Sequence, residues 1–287
     1  MTVLSLAYYS FAWNNYIFGG SSSVHQVLSV EGLEALPAIR NQDDNRGYQD
    51  GMFSGNDFFA GRTVTITILT LGGNGYSAQY NYNLLQAQLL PQTTGTTPLQ
   101  FQMSNVSALQ RINARVRTNV TSVDPDYTYG YIKSQYSFFC PDPKYYDDAE
   151  QLSTLSLSNP LGRTYNRVYP LLYGGGSAAT YTLVTNNGWT ATYPTITLNG
   201  PITNPILGNF TQGLYTTLTG SYTASDIIVL DLENRIVTLN GSSARNLVAG
   251  GSNWFSAPPG NSQFYLSGAG TLVGTTQATV SYRSAYI

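Results

Sequence analysis

The sequence predicts a mainly β protein in two parts: an α+β first part with about one helix, and an all-β second part built as a sandwich or barrel. Three observations predict it. From Thr63 to Ile68 the chain alternates, with Val64, Ile66 and Ile68 facing one way and Thr63, Thr65 and Thr67 the other, the period of two of a half-buried strand. Between Ser77 and Pro91 that period lengthens to a helical one, placing Ala78, Tyr82, Leu85 and Leu89 on one face. From Tyr181 onward, short apolar runs alternate with turn signals and no helical period survives.

The apolar run VLSLAYYSFAW near the start has no basic residue before it, the first Lys or Arg being Arg40, and it is too short to span a membrane. It reads as a strand, with no signal peptide. The segment SSSVHQVLSV is a second strand, and it carries His25 as a structural residue. NQDDNRGYQDG and DPDYTYG are acidic loops that lack the far-end acid of a calcium-binding hand, so both read as solvated turns. Gly61 gives a flexible corner before the alternating strand, with the Arg62 guanidinium at its start. Ser77 serves as N-cap of the helix and Pro91 stops it. The stretch from Val106 to Arg117 fits both periods, and a strand over Arg111 to Val120 is preferred. Its hairpin partner places Ile132, Ser134, Tyr136, Phe138 and Cys140 on one face before Pro141 ends the pairing.

Residues 149–176 hold Pro160, Pro170 and the Gly174-Gly175-Gly176 run, with no helical period, and are expected to link domain 1–148 to domain 149–287. In the second domain DIIVLDLENRIVTLNG is a hairpin, Ile227 to Leu232 turning at Glu233-Asn234 into Arg235 to Leu239, with Asn240-Gly241 as the next turn. The closing strand puts Ala278, Val280 and Tyr282 inward and Thr279, Ser281 and Arg283 outward.

Composition narrows the function. Charged residues are 10% of the chain, against roughly 25% in ordinary soluble proteins, while Tyr reaches 23 and the net charge is only −2. A polar, weakly charged, tyrosine-rich surface suits coverage by partners. One His and one Cys cannot supply a closed zinc site, and a nucleophilic triad would have to use His25. Cys140 alone forms no internal disulfide, so the fold needs no oxidising compartment. The fifteen carboxylates fall mostly in turns, and no phosphate loop is present. No cofactor, metal or catalytic residue is assigned, and the protein is expected not to be an enzyme. Arg111, Arg115 and Arg117 make a basic stripe with Asn113, but two lysines in the whole chain argue against nucleic acid. A solvated or subunit-facing strand is expected there, with Arg62 added as a fourth interface candidate.

Read together, GLEALPAIRNQDDNRGYQDGMFSGNDFFAGRTVTITI, the helix after it, the SFFCPDPKYY corner, LDLENRIVTLNG, WFSAPPGNSQFYL and ATVSYRSAYI resemble the distal tail proteins of long-tailed, non-contractile phages. That resemblance covers nearly the whole chain. It implies an N-terminal domain closing into a homohexameric ring, a C-terminal galectin-like β-sandwich, and a place in the virion between the tail tube and the tail-tip hub with its host-binding proteins. Synthesis in the host cytoplasm follows, with no membrane partner. The galectin sugar motif is not kept: His25 lies in the other domain, and Trp254 is followed by Phe-Ser-Ala-Pro. The alternative function is a carbohydrate-binding module that attaches the virion to host cell-wall glycan through Trp189 and Trp254, helped by Tyr193 and Phe255.

Overall fold

A computed structural model describes residues 6–73, 75–103, 108–157, 181–269 and 277–287. The chain forms two compact units, one of Met1–Asp148 with Tyr286–Ile287 and one of Ala149–Ala285. Both are built from antiparallel strands, so the fold is mainly β.

In the first unit a sheet runs in the order Tyr16–Gly19, Ser10–Trp13, Thr97–Gln102, Gln110–Ser122, Ile132–Cys140, Arg62–Thr70, His25–Glu31. Its spine is Gln110–Ser122, the segment whose period was ambiguous. The first half of this strand pairs with Thr97–Gln102 and the second half with Ile132–Cys140, with a register shift between Val116 and Thr118. Arg117 is the extra residue of that bulge, and beyond it the inward positions pass from Ile112, Ala114 and Val116 to Asn119 and Thr121. Strand Arg62–Thr70 is paired along both edges, by Ile132–Cys140 and by His25–Glu31. Its alternate residues Val64, Ile66 and Ile68 are fully buried with Trp13, Tyr136 and Phe138. Trp13 meets Phe138 edge to face, with ring centroids 5.3 Å apart.

The helix spans Ala78–Gln88, and the Ser77 hydroxyl accepts from the Tyr80 amide at 3.2 Å, as a capping serine does. Leu85 and Leu89 are buried, each contributing about 2 kcal/mol through area removed from water. A further single helical turn, Pro125–Thr128, replaces the solvated turn expected at DPDYTYG; Pro125 at its first position favours helix initiation. The acidic stretch NQDDNRGYQDG is likewise more ordered than a loop, because Asp44–Asn45 pairs with Met52–Phe53.

The second unit is a β-sandwich. One sheet orders Gln151–Ser156, Gln277–Tyr282, Thr195–Asn199, Ile227–Asp231, Ile236–Leu239, Ser242–Ser243. The other orders Thr182–Asn186, Gly260–Ala269, Ile202–Asn209, Leu214–Thr217, with Ser221–Tyr222 beside Ile202–Asn209. Ile196, Leu198, Leu230 and Val280 from the first sheet share one core with Val184, Leu207, Phe264 and Leu266 from the second. Alternation on Gln277–Tyr282 buries Ala278, Val280 and Tyr282. The turn after Ile227–Asp231 is held by Asp231, whose carboxylate accepts from the Glu233 and Asn234 amides at 3.0 Å each. Gln151–Ser156 was expected in a linker and is instead an edge strand paired with Gln277–Tyr282. The rest of that expected linker from residue 158, with Pro160, Pro170 and the three glycines, lies outside the described residues.

Candidate partner-binding surfaces

The largest departure from a self-contained fold lies between Leu33 and Arg62. Ile39–Arg40 pairs with Phe58–Phe59, and farther along Asp44–Asn45 pairs with Met52–Phe53, so the segment doubles back as an arm paired only with itself. Every residue from Ala38 to Phe59 is exposed. Among them Ile39 is 62% exposed, Phe53 60% and Phe59 51%, and none belongs to a core cluster. Arg40 lies over the Phe58 ring at 5.6 Å and Arg46 over Phe53 at 5.1 Å, so cations shield one side of two rings. A two-stranded ribbon is marginal in water on its own, and a run of apolar side chains that covers nothing marks an interaction surface. Sequence reasoning read this stretch as loop because Asp43, Asp44, Gly47 and Gly51 are turn formers and no period of two runs through it.

The basic stripe is present but engaged. Arg111 forms an ion pair with Asp148 at 3.7 Å. Arg115 and Arg117 both place their guanidinium groups over Phe139, at 5.5 Å and 3.8 Å, with Arg117 exposed on its bulge. Arg62 does not join them. The alternation that turns Val64 inward also turns Arg62 inward, leaving it 4% exposed. Its Nη1 donates to the Leu33 carbonyl, its guanidinium sits 5.8 Å from the Tyr145 ring, and burial lowers its pKa. Arg62 therefore presents no charge to a partner from this subunit.

His25 is buried, with Nε2 2.7 Å from the Tyr16 hydroxyl and Nδ1 3.1 Å from the Thr70 hydroxyl. Burial pulls its pKa down to about 4, so the ring is neutral at pH 7. Burial pushes the Cys140 thiol up to about 12, which leaves it a small core side chain with almost no thiolate. No group of three or more His, Cys, Asp or Glu fit to hold a metal occurs among the described residues. Likewise none of the described helices is long and apolar enough to cross a membrane.

The four aromatics considered for a glycan platform separate. Phe255 is core, edge-to-face with Phe264 at 5.4 Å, and Trp254 is half-buried against the same core. Trp189 is 62% exposed and Tyr193 40%. A different aromatic group, missed in the sequence, gathers on the outer face of the sheet that contains Gly260–Ala269. There Tyr181 lies 4.7 Å from Phe210 and 6.2 Å from Tyr265, ring centre to ring centre.

The described residues thus form a β-sandwich and a second β unit that carries an arm paired only with itself. Residues 187–286 match the sequence model of the siphovirus-type tail component, C-terminal domain. The crystal structure of the Dit protein of phage SPP1, described as a paradigm of the hub adsorption apparatus in phages infecting Gram-positive hosts, shares the fold. Its TM-score is 0.65 at 14% identity, over 97% of this chain and 99% of that one. A chain of the phage P2 baseplate in its activated conformation with calcium aligns at TM-score 0.48 and 10% identity, over 95% of this chain and 97% of that one. No curated protein sequence matches the chain. Residues 187–286 thus carry a siphovirus-type tail component, C-terminal domain, in a chain that shares the fold of the SPP1 Dit protein over nearly its whole length.

Proposed function

We infer that this protein is an adaptor at the tail tip: six copies close a ring that joins the tail tube to the hub and host-binding proteins, without catalysing a reaction. The first domain, 1–148, supplies the ring contacts, and the sandwich of 149–287 remains available to other virion proteins. One observation carries this reading, the arm from Ala38 to Phe59 with its exposed Ile39, Phe53 and Phe59. Apolar side chains that cover nothing in their own subunit are accounted for when they cover a neighbour, and a ring gives every arm the same neighbour. Arg115 and Arg117, held on Phe139, extend the contact surface with fixed positive charge. The weakly charged, tyrosine-rich composition supports the same conclusion.

The arm also supplies the test. Ala60 donates its amide to the Ala38 carbonyl at 2.8 Å, so the arm leaves and rejoins the body at adjacent points and can be replaced by a short glycine turn. Wild-type protein should give six-fold rings in electron micrographs and a hexamer mass by light scattering. The arm-less variant should stay monomeric with an unchanged melting temperature. A wild-type protein that remains monomeric at high concentration and is missing from tails would defeat the reading.

A further inference from the structure

We propose that the outer face of the Thr182–Asn186, Gly260–Ala269, Ile202–Asn209, Leu214–Thr217 sheet is a binding site for a neutral oligosaccharide. The register builds it from residues far apart in sequence. Gly208 is paired on one side with Tyr215 and on the other with Tyr265, and Tyr181 continues the row because the next residue, Thr182, is paired with Phe264. One line across four strands thus reads Tyr181, Tyr265, Gly208, Tyr215.

Glycine in the third place is required by the ring beside it. A Cβ on Gly208 would fall 2.6 Å from Cε1 of Tyr265, so the tyrosine ring lies down over the glycine and is held against the sheet. Tyr181 stands edge-on to it at 89°, and Phe210, 57% exposed, packs on Tyr181 at 4.7 Å. Covering a glycine accounts for Tyr265 alone. Tyr181, Phe210 and Tyr215 remain substantially exposed on the same face and belong to no core cluster.

The occupant is set by what surrounds the rings. No described side chain on this face carries a carboxylate, ammonium or guanidinium group; its polar members are Asn261, Gln263, Ser267, Thr185, Thr217 and the tyrosine hydroxyls. An anionic polymer would find no countercharge on this face. Flat rings beside neutral donors and acceptors suit a pyranose, whose C–H face stacks on an aromatic while its hydroxyls hydrogen-bond around it. With strands about 4.8 Å apart, the row from Tyr181 to Tyr215 is roughly 14 Å long, the length of about three linked hexoses. Trp189 is not part of this row.

The test uses the full-length protein on an array of neutral hexose and N-acetylhexosamine oligomers, with hexagalacturonate as the anionic control, followed by calorimetry on the best neutral binder. A neutral oligomer should bind, the anionic one should not, and Tyr181→Ala and Phe210→Ala should each weaken binding about tenfold. Trp189→Ala should leave it unchanged. Gly208→Val, which displaces the Tyr265 ring, should weaken binding as well; each variant is first shown to keep the wild-type melting temperature. No binding of any neutral oligomer at about 10 mM, or binding lost in Trp189→Ala and kept in Tyr181→Ala, overturns the assignment. So does sedimentation showing that Tyr181→Ala and Phe210→Ala abolish association between copies, with no sugar bound by the wild type.

Discussion

The arm from Ala38 to Phe59 and the strand Arg62–Thr70 are almost continuous in sequence, yet one buries nothing and the other buries every second side chain. Hydrophobicity does not separate them, since the arm holds Ile39, Met52, Phe53, Phe58 and Phe59. Pairing does. Strand Arg62–Thr70 has a neighbour on each edge, so its inner face is held against Trp13, Tyr136 and Phe138. The arm pairs only with itself and offers both faces to whatever lies outside the subunit. An apolar side chain is thus a core residue in one stretch and a surface residue in the other.

The sharpest way to break this comparison is a truncation on each side of it. Phe138→Ala should cost about 4 kcal/mol in urea unfolding, because it empties a site that its neighbours cannot refill. Acid gives the next largest effect. The folded protein holds His25 neutral down to a pKa of about 4, whereas the unfolded chain takes up a proton near 6.5. Stability from this group is therefore complete above pH 6.5, falls as the pH drops from 6.5 to 4, and changes no further below that, a loss of up to about 3 kcal/mol. Urea titrations of wild type and His25→Gln across that window should converge as the pH falls; a constant gap would mean that His25 does not titrate this way.

Phe59→Ser belongs at the small end for stability, within about 0.5 kcal/mol of wild type, while its effect on ring mass should be decisive. Equal destabilisation by Phe59→Ser and Phe138→Ala would erase the distinction between the two stretches. Cys140 reports on the folded side without altering it: iodoacetamide at pH 8 should label the native protein about a hundredfold more slowly than the urea-unfolded chain.

What could be read from the sequence was local. Ser77 and Pro91 bracket the helix because capping and proline steric effects act within a few residues, and Ile132 to Cys140 alternates because a sheet with one buried face demands it. Arg62 was misplaced when the corner before it was weighed above the alternation that includes it. Gln151–Ser156 was read as linker because its partner, Gln277–Tyr282, lies far along the chain and leaves no mark on the segment itself. The tyrosine row has the same character: positions 181, 208, 215 and 265 become neighbours only through register. As for the glycan alternative, Phe255 is core, edge to face with Phe264, while Trp254 beside it is half-buried, a difference set by packing between strands far apart in sequence.

Tyr286 stacks on Tyr145 with ring centres 5.4 Å apart, and its hydroxyl lies 3.5 Å from the Asp147 carboxylate, so the polypeptide comes back to the first unit beside the place where it left. The second crossing brings back only Tyr286–Ile287, held by a stacked ring and a polar contact, so the first crossing alone gives the two units covalent continuity of any length.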